Sequence, residues 1–408
     1  MKVSMTPRHS TTIREFKFFL LFIVIAMFII YCERSERSPS VKTEVIDGIQ
    51  HVYNTEEPDK GEISQDVTEV LRIDPFELNP EDPPLLQMAA KDDRGNLYLA
   101  DSRNVKVYKL DPNGKLVTQF LKKKQGPGEF PILGDLQISQ NQIWIIGTWP
   151  MKIAKFTLDG EYINEWKFRT FRNFYLRTQV VSDDRFLTVS YQEGAENQDR
   201  IRVSALINSN EEFLTRYHED KNAGIFQIRT AVRQGPAIVS TNPLVAADTQ
   251  HAYDNTSGVV YVCNNREYKI QLKNIDGTTW MVIHRAHRKI ILDNDKKESI
   301  LQSIAPRIPI EAKKQAKEQL PDTLNAISGI SVLPQGHLAV KRITGLESVE
   351  IDVFDRKGHF IYTILPSVEI PDLRDVIIFE NSIGIIAELE EKNIFVEYRV
   401  KNMKGIFD

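Results

Sequence analysis

The sequence predicts an all-β protein: a six-bladed β-propeller closed by an N-terminal strand, with a small helical insertion between blades four and five. Three observations carry this. From Val67 onward the apolar residues come in short runs with the period of strands, such as residues 96–100, 142–146 and 258–262, each bounded by Asp, Asn or Gly. One cassette recurs, a polar turn, a strand, a polar loop, a second strand, a tight turn and a third strand, and its two turns are 19 residues apart in three copies, Gly95 to Gly114, Asn141 to Gly160 and Gly258 to Gly277. A strand-like segment over residues 67–73 stands unassigned before the first cassette, while the last cassette lacks an outer strand.

Taken in chain order, the first element is targeting. Lys2, Arg8, Arg14 and Lys17 precede an unbroken apolar stretch over 18–30, followed by Tyr31 and Cys32. Thirteen apolar residues rise about 20 Å as a helix, short of the roughly 30 Å hydrocarbon core, and basic-then-apolar is the order of a secretory signal. No later stretch approaches the roughly 18 apolar residues of a spanning helix, which excludes a polytopic membrane protein. Residues 1–32 are therefore expected to be a signal peptide or a signal anchor. Residues 33–60, a mixture of Ser, Pro, Glu, Lys and Asp, read as a flexible linker with a span on the order of 30 Å. The propeller is expected over 61–408.

Within it, looser cassettes run from Asp184 to Asn208-Ser209-Asn210 and from Gly336 to Gly358, and a truncated one starts at Asn381 and ends at Val400. A single sheet of this size cannot bury both faces, whereas a ring of six buries each against its neighbours. The strand over 67–73 supplies the missing outer strand of the sixth blade, removing edges that invite aggregation. The helical segment is 294–320. Asp295 suits the cap of a helix reaching Ile304, Pro306 its end, and Pro309 the first position of a second helix. It is expected over the face where interblade connections emerge, either as a lid or partner-docking element or packed on blade edges.

Composition removes several function classes. Fifty-two Lys and Arg against 56 Asp and Glu leave a net charge of -4, so the overall field gives nucleic acid no reason to bind. Two cysteines cannot make a disulfide framework, and neither belongs to a paired zinc or redox motif. Cys263, in Val-Val-Tyr-Val-Cys, reads as an inert buried strand thiol. His284 and His287 invite a metal reading, but residues three apart on a strand point to opposite faces. No nucleophile elbow, phosphate-cradling glycine loop or calcium loop is found in the sequence. In Gly126-Pro127-Gly128-Glu129-Phe130 the glycines permit positive φ around a fixed proline, with Phe130 expected to plug the gap between blades one and two and Glu129 to cap nearby amides. The preceding Lys122, Lys123 and Lys124 are read as a solvated run, with anion recognition as the alternative.

The run from Leu97 through Asp101-Ser102-Arg103-Asn104 to Tyr108, with the Gly126 to Pro131 motif after it, resembles an NHL repeat and the six-bladed, TolB-like propellers of bacterial envelope lipoproteins. The likeness is sharp from Lys91 to Trp166; later cassettes keep the turn spacing and lose the Asp-x-x-Asn signature. Cys32 resembles the acylated cysteine of such lipoproteins, and Ile29 suits the pattern. Tyr31 departs from the small residue expected there, so lipidation at Cys32 and an uncleaved anchor stand side by side. Either places the chain in the bacterial envelope, outside the cytoplasm and held to the membrane. The resemblance also implies an enzyme alternative, since six-bladed relatives include calcium-dependent lactonases and esterases and a lyase.

A binding site is expected where loops converge over the channel mouth of a rigid scaffold. The candidate contacts are Arg103, Asn104, Trp149, Tyr191, Gln192, Arg266 and Arg342, from five blades, with Trp149 the leading one because a large ring on an exposed loop calls for a cover. The resulting expectation is a monomeric, membrane-tethered module binding protein, peptide or glycan, with no cofactor. The alternative is a hydrolase or lyase with a metal, calcium foremost, in the central channel.

Overall fold

The computed structural model describes residues 41–63, 67–148, 150–168, 175–193, 200–220, 226–229, 236–240, 242, 244–304, 310–364, 373–379, 382–389 and 392–400. The segment read as a signal peptide or anchor, Cys32, Trp149, Pro306 and Pro309 lie outside these residues. Four strands precede the first blade: β1 (Val41–Ile46), β2 (Ile49–Asn54), β3 (Glu62–Ile63) and β4 (Val67–Ile73). Blade one holds β5 (Leu86–Lys91), β6 (Leu97–Asp101), β7 (Lys106–Leu110) and β8 (Leu116–Phe120). Blade two holds β9 (Leu133–Ser139), β10 (Gln142–Thr148), β11 (Met151–Phe156) and β12 (Tyr162–Lys167). Blade three holds β13 (Tyr175–Ser182), β14 (Arg185–Glu193), β15 (Arg200–Asn208) and β16 (Phe213–Asp220). A separate hairpin, β17 (Phe226–Arg229) and β18 (Pro236–Ser240), follows.

Blade four holds β19 (Thr249–Asp254), β20 (Val259–Asn264), β21 (Lys269–Lys273) and β22 (Thr279–Arg285). Blade five holds β23 (Ile327–Val332), β24 (Leu338–Ile343), β25 (Val349–Phe354) and β26 (Phe360–Ile364). Blade six has three strands of its own, β27 (Leu373–Ile378), β28 (Ser382–Leu389) and β29 (Lys392–Val400), and β4 pairs antiparallel with β29 as its fourth. The ring is therefore closed by the N-terminal strand, as the sequence predicts.

The six interblade packings show why the repeat needs to be circular. Separate clusters of buried apolar residues join blades one and two, two and three, three and four, four and five, five and six, and six back to one. The last of these packs Ile73 of β4 and Phe395 of β29 against Leu97 and Leu99 of β6. The turn before each outer strand explains the 19-residue spacing. Gly114 has φ +83°, and a Cβ there would stand 2.5 Å from Leu71 Cδ1 on β4; Gly160 has φ +86°, and its Cβ would meet Phe120 of β8 at 2.5 Å. Each turn thus needs glycine twice over, for its backbone and for its seat on the preceding blade. Asp111 tightens the same turn by accepting from the Asn113 and Lys115 amides, both at 2.9 Å. Phe130 is wholly buried between blades one and two, and Glu129 accepts from the Gly126 amide at 2.9 Å. Of the two motif glycines, Gly128 alone takes positive φ.

Two expectations are corrected. The segment read as flexible over 33–60 is ordered from Val41: β1 and β2 form a hairpin, and β2 pairs in parallel with β22 on the outside of blade four. Its cause is a two-residue Asp47-Gly48 turn with φ of 52° and 80°, flanked by Val45 and Ile46 and by Ile49 and Val52, a hairpin signal masked by the polar composition around it. Val52 is completely buried in the four-five cluster. The helical insertion stands where the sequence puts it, as helices Asn294–Ile304 and Ile310–Gln319, but the cap is Asp293, whose Oδ1 accepts from the Lys296 amide at 2.9 Å, and not Asp295. Ile300, Leu301, Ala316 and Leu320 pack with Leu292, Leu324 and Ile343 in a seventh apolar cluster on the blade four-five side, and the second helix lies beside β17. The insertion is packed onto the blades.

Candidate functional site

The first strand of each blade lines the central axis, and successive turns alternate between two faces. Loops between second and third strands, with the interblade connections, form one face (the loop face); the other two turns of each blade form the opposite one (the turn face). In five of the six innermost strands the register with the second strand shifts near the loop-face end, at Gln87, Gly134, residues 177–178, Ser328 and Arg374. Such shifts re-aim side chains at a rim.

A cavity of about 830 Å³ occupies the axis. It is lined by the C-terminal halves of the innermost strands and the turns that follow them, so it opens on the turn face. All six blades contribute: Lys91, Asp135, Gln179, Tyr253, Ser331 and Phe379 stand for blades one to six. Two glutamines knit the wall. Gln137 donates to the Thr178 carbonyl at 2.5 Å and accepts from the Val180 amide at 3.1 Å; Gln179 repeats this one blade on, with the Tyr253 carbonyl at 3.1 Å and its amide at 2.8 Å. Each amide side chain does what a neighbouring strand would do for those backbone groups.

Some of the charge is held in ion pairs and some, as at Asp92, Asp135 and Asp254, in hydrogen bonds to neighbouring amides. Lys91 meets Glu397 at 2.5 Å, and Ser382 donates to the same carboxylate. Toward the loop face Asp248 receives both Arg177 and Arg202, and Gln250 donates to it at 3.2 Å. Arg399 and Asp254 also reach the cavity. His251 is buried against Ser204, with Oγ to Nδ1 at 3.1 Å, and burial together with the Arg177 cation pushes its pKa down to about 3. It is a neutral hydrogen-bonding group at physiological pH. Burial and Asp254 raise the Tyr253 phenol, which keeps its proton. Among the described residues no three His, Cys, Asp or Glu side chains gather as a metal site. The wall therefore presents hydroxyls, amides, carboxylates, cations and one phenol ring, a lining suited to hydrogen-bonding a polar ligand.

Of the sequence-expected contacts, Trp149 lies outside the described residues; the others fall at the loop-face ends of their blades, and Arg103, Asn104, Arg266 and Arg342 line none of this cavity. Asp101 is wholly buried and accepts from the amides of Leu85, Arg103 and Asn104 at 3.1, 2.9 and 3.2 Å, while the Asn104 side chain donates to Asp82 at 2.8 Å. The Asp-x-x-Asn signature thus shapes its own loop. Arg103 is exposed, and its carbonyl accepts from Lys123 at 2.8 Å. Arg266 is exposed on blade four. Tyr191 and Gln192 stand near the end of β14, paired with Arg202 and Ile201. Arg342 binds Asp352 at 2.9 Å and also Glu350.

The rejected histidine pair has other partners. His284 Nε2 lies 3.0 Å from His51 Nδ1 on β2, and His287, beyond the end of β22, packs beside Tyr268 with 5.7 Å between ring centres. Cys263 is buried, its pKa pushed up to about 12 by burial, and so stays a thiol. Sequence reasoning missed the channel wall because it looked to loops. The available signal was the number of polar residues in first strands, Asp135, Gln137, Gln179 and His251 among them.

Among solved structures, the chain is similar to a putative exported protein from Bacteroides fragilis, with TM-score 0.50 and 13% identity over 86% of this chain and 99% of that one. It also aligns with virginiamycin B lyase from Staphylococcus aureus, with TM-score 0.43 and 10% identity over 82% of this chain and 99% of that one. A gluconolactonase from Xanthomonas campestris gives TM-score 0.42 and 12% identity over 77% and 86%. At 13% identity the first of these likenesses shows the fold alone. No curated protein matches the sequence. The six interblade packings, the closing strand and a family match over residues 50–268, more than half of the chain, lead to one assignment: the chain belongs to the DUF5128 family of 6-bladed beta-propellers.

Proposed function

We propose that this propeller is an extracytoplasmic, membrane-tethered binding module whose polar ligand, a peptide or a glycan, enters the axial cavity from the turn face. The observation that carries this is the cavity of about 830 Å³ with polar groups from all six blades. Convergence of that kind gives a small ligand many hydrogen-bond partners on a stiff frame. The basic-then-apolar N-terminus, with Cys32 at its end, supports export and attachment, as does the fold likeness to an exported protein. The chain then acts as a TolB-like envelope lipoprotein, monomeric, with NHL-type blades.

A metal-dependent hydrolase or lyase would need carboxylates or imidazoles converging on the axis. Lys91 holds Glu397, and Asp92, Asp135 and Asp254 spend both oxygens on hydrogen bonds to nearby amides and side chains, which favours binding over that chemistry. The test is titration of the full chain in detergent with neutral oligosaccharides and with short peptides, followed by calorimetry, beside metal analysis of the same sample. Saturable binding by one class, weakened about tenfold in Tyr253→Ala, supports the reading. Stoichiometric calcium or zinc that survives dialysis, or binding indifferent to Tyr253→Ala and Asp135→Asn alike, overturns it.

A further inference from the structure

A second cavity, of about 580 Å³, lies between the connection from blade four to five and the β24–β25 loop. Cations dominate its wall: Arg285, Arg288, Lys289, Lys296 and Arg342, against Glu56 and Glu350. Their pairing divides them. Arg342 binds the fully buried Asp352 and also Glu350, Arg285 stands 3.5 Å from Asp352, and Lys296 meets Asp293 at 2.5 Å. Arg288 and Lys289 are exposed and have no carboxylate partner among the described residues, so they carry the uncompensated charge. Beside them Ile291 is 69% exposed, an apolar side chain next to free cations. Burial first, and behind it the nearby Arg285, Lys289 and Arg342 cations, push the His287 pKa down.

The position of the cavity adds a source for an anion. Val41 pairs with Asn54, Asn54 pairs with Arg285, and Glu56 is on the cavity wall, so the chain arriving from Cys32 joins the structure at this rim. Val41 follows Cys32 by nine positions, and nine residues reach at most about 30 Å. We infer that this basic cavity binds a phosphate group, supplied by the anionic headgroups of the membrane to which the chain is tethered. Arg288 and Lys289 make the charge-assisted contacts, and Ile291 enters the headgroup layer. The lipid source rests on the tethering proposed above; the phosphate chemistry does not.

Two arms test it on the full chain. In detergent, inorganic phosphate is titrated at low salt into the protein and into the Arg288→Ala/Lys289→Ala double variant. The expected result is millimolar or tighter binding that weakens about tenfold in the variant and fades at about 0.5 M salt. In lipid nanodiscs, amide exchange over 286–291 is compared between phosphatidylcholine alone and phosphatidylcholine with phosphatidylglycerol. Slower exchange in the anionic discs, lost in the double variant, supports the membrane source. Phosphate binding without that protection assigns the cavity to free phosphate and overturns the lipid source. Protection without phosphate binding, or neither, overturns the cavity. Both substitutions are at exposed positions, so an unchanged melting temperature separates these outcomes from misfolding. If fractionation finds the chain untethered, the phosphate arm alone still decides the chemistry of the cavity.

Discussion

Asp101 shows how a residue that looks functional earns its place by structure. Its Oδ1 gathers three backbone amides around a wholly buried side chain, and removing it leaves three donors unsatisfied. Asp101→Ala is expected to cost about 2–4 kcal/mol, measured by urea unfolding, while Asn104→Ala costs less than about 1 kcal/mol because its side-chain bond is exposed. Gly114→Ala combines a left-handed backbone with a contact to Leu71 and is expected to cost about 1–3 kcal/mol. Four buried or half-buried histidines shape the acid response. His218, His251, His284 and His287 all have lowered pKa values, with burial as the first cause. In the unfolded chain they take up protons near pH 6.5 and in the fold they resist, so stability is full above that pH and declines as pH falls toward the folded values. Melting temperatures from pH 7.5 to pH 4.5 check the sign, and His251→Gln is expected to flatten the decline.

Among elements, the β1–β2 hairpin was hidden from the sequence by its neighbours. Asp47-Gly48 between alternating apolar residues is a strong local signal, yet the surrounding Ser, Pro and Glu gave the whole of 33–60 the composition of a tether. The hairpin docks by a parallel ladder to β22, by Val52, and by the stack of Tyr53 on His284, 4.5 Å between ring centres. Val52→Ala is expected to loosen the hairpin by about 1–3 kcal/mol, seen as faster amide exchange over 41–54 with exchange in blades one and two unchanged. Acid acts at the same place, because the His51–His284 bond needs an unprotonated nitrogen. The blades themselves were legible because turn chemistry is local: Asp111, Gly114 and Gly160 state their own geometry. The channel was not, since Gln137 and Gln179 acquire meaning only when the adjacent blade stands beside them.

At the scale of the whole molecule, six similar packings make the ring only as strong as its seam. Blade six offers β29 to β4, and Ile73 carries the apolar contact across to blade one. Ile73→Asp sets a charge in that cluster without a partner and is expected to cost about 3–5 kcal/mol; loss of a single cooperative unfolding transition in denaturant would show that the seam has opened. The circular plan was readable from the count of cassettes and the one strand left over, while the two cavities required the ring to be assembled.

That seam also imposes an order on biosynthesis. Val67 opens β4, and its partner begins at Lys392, more than 300 residues later. Until β29 is made, the closing strand has nothing to join, and the nascent protein remains an unsealed arc. Completion of the fold is thereby deferred until β29 has been made.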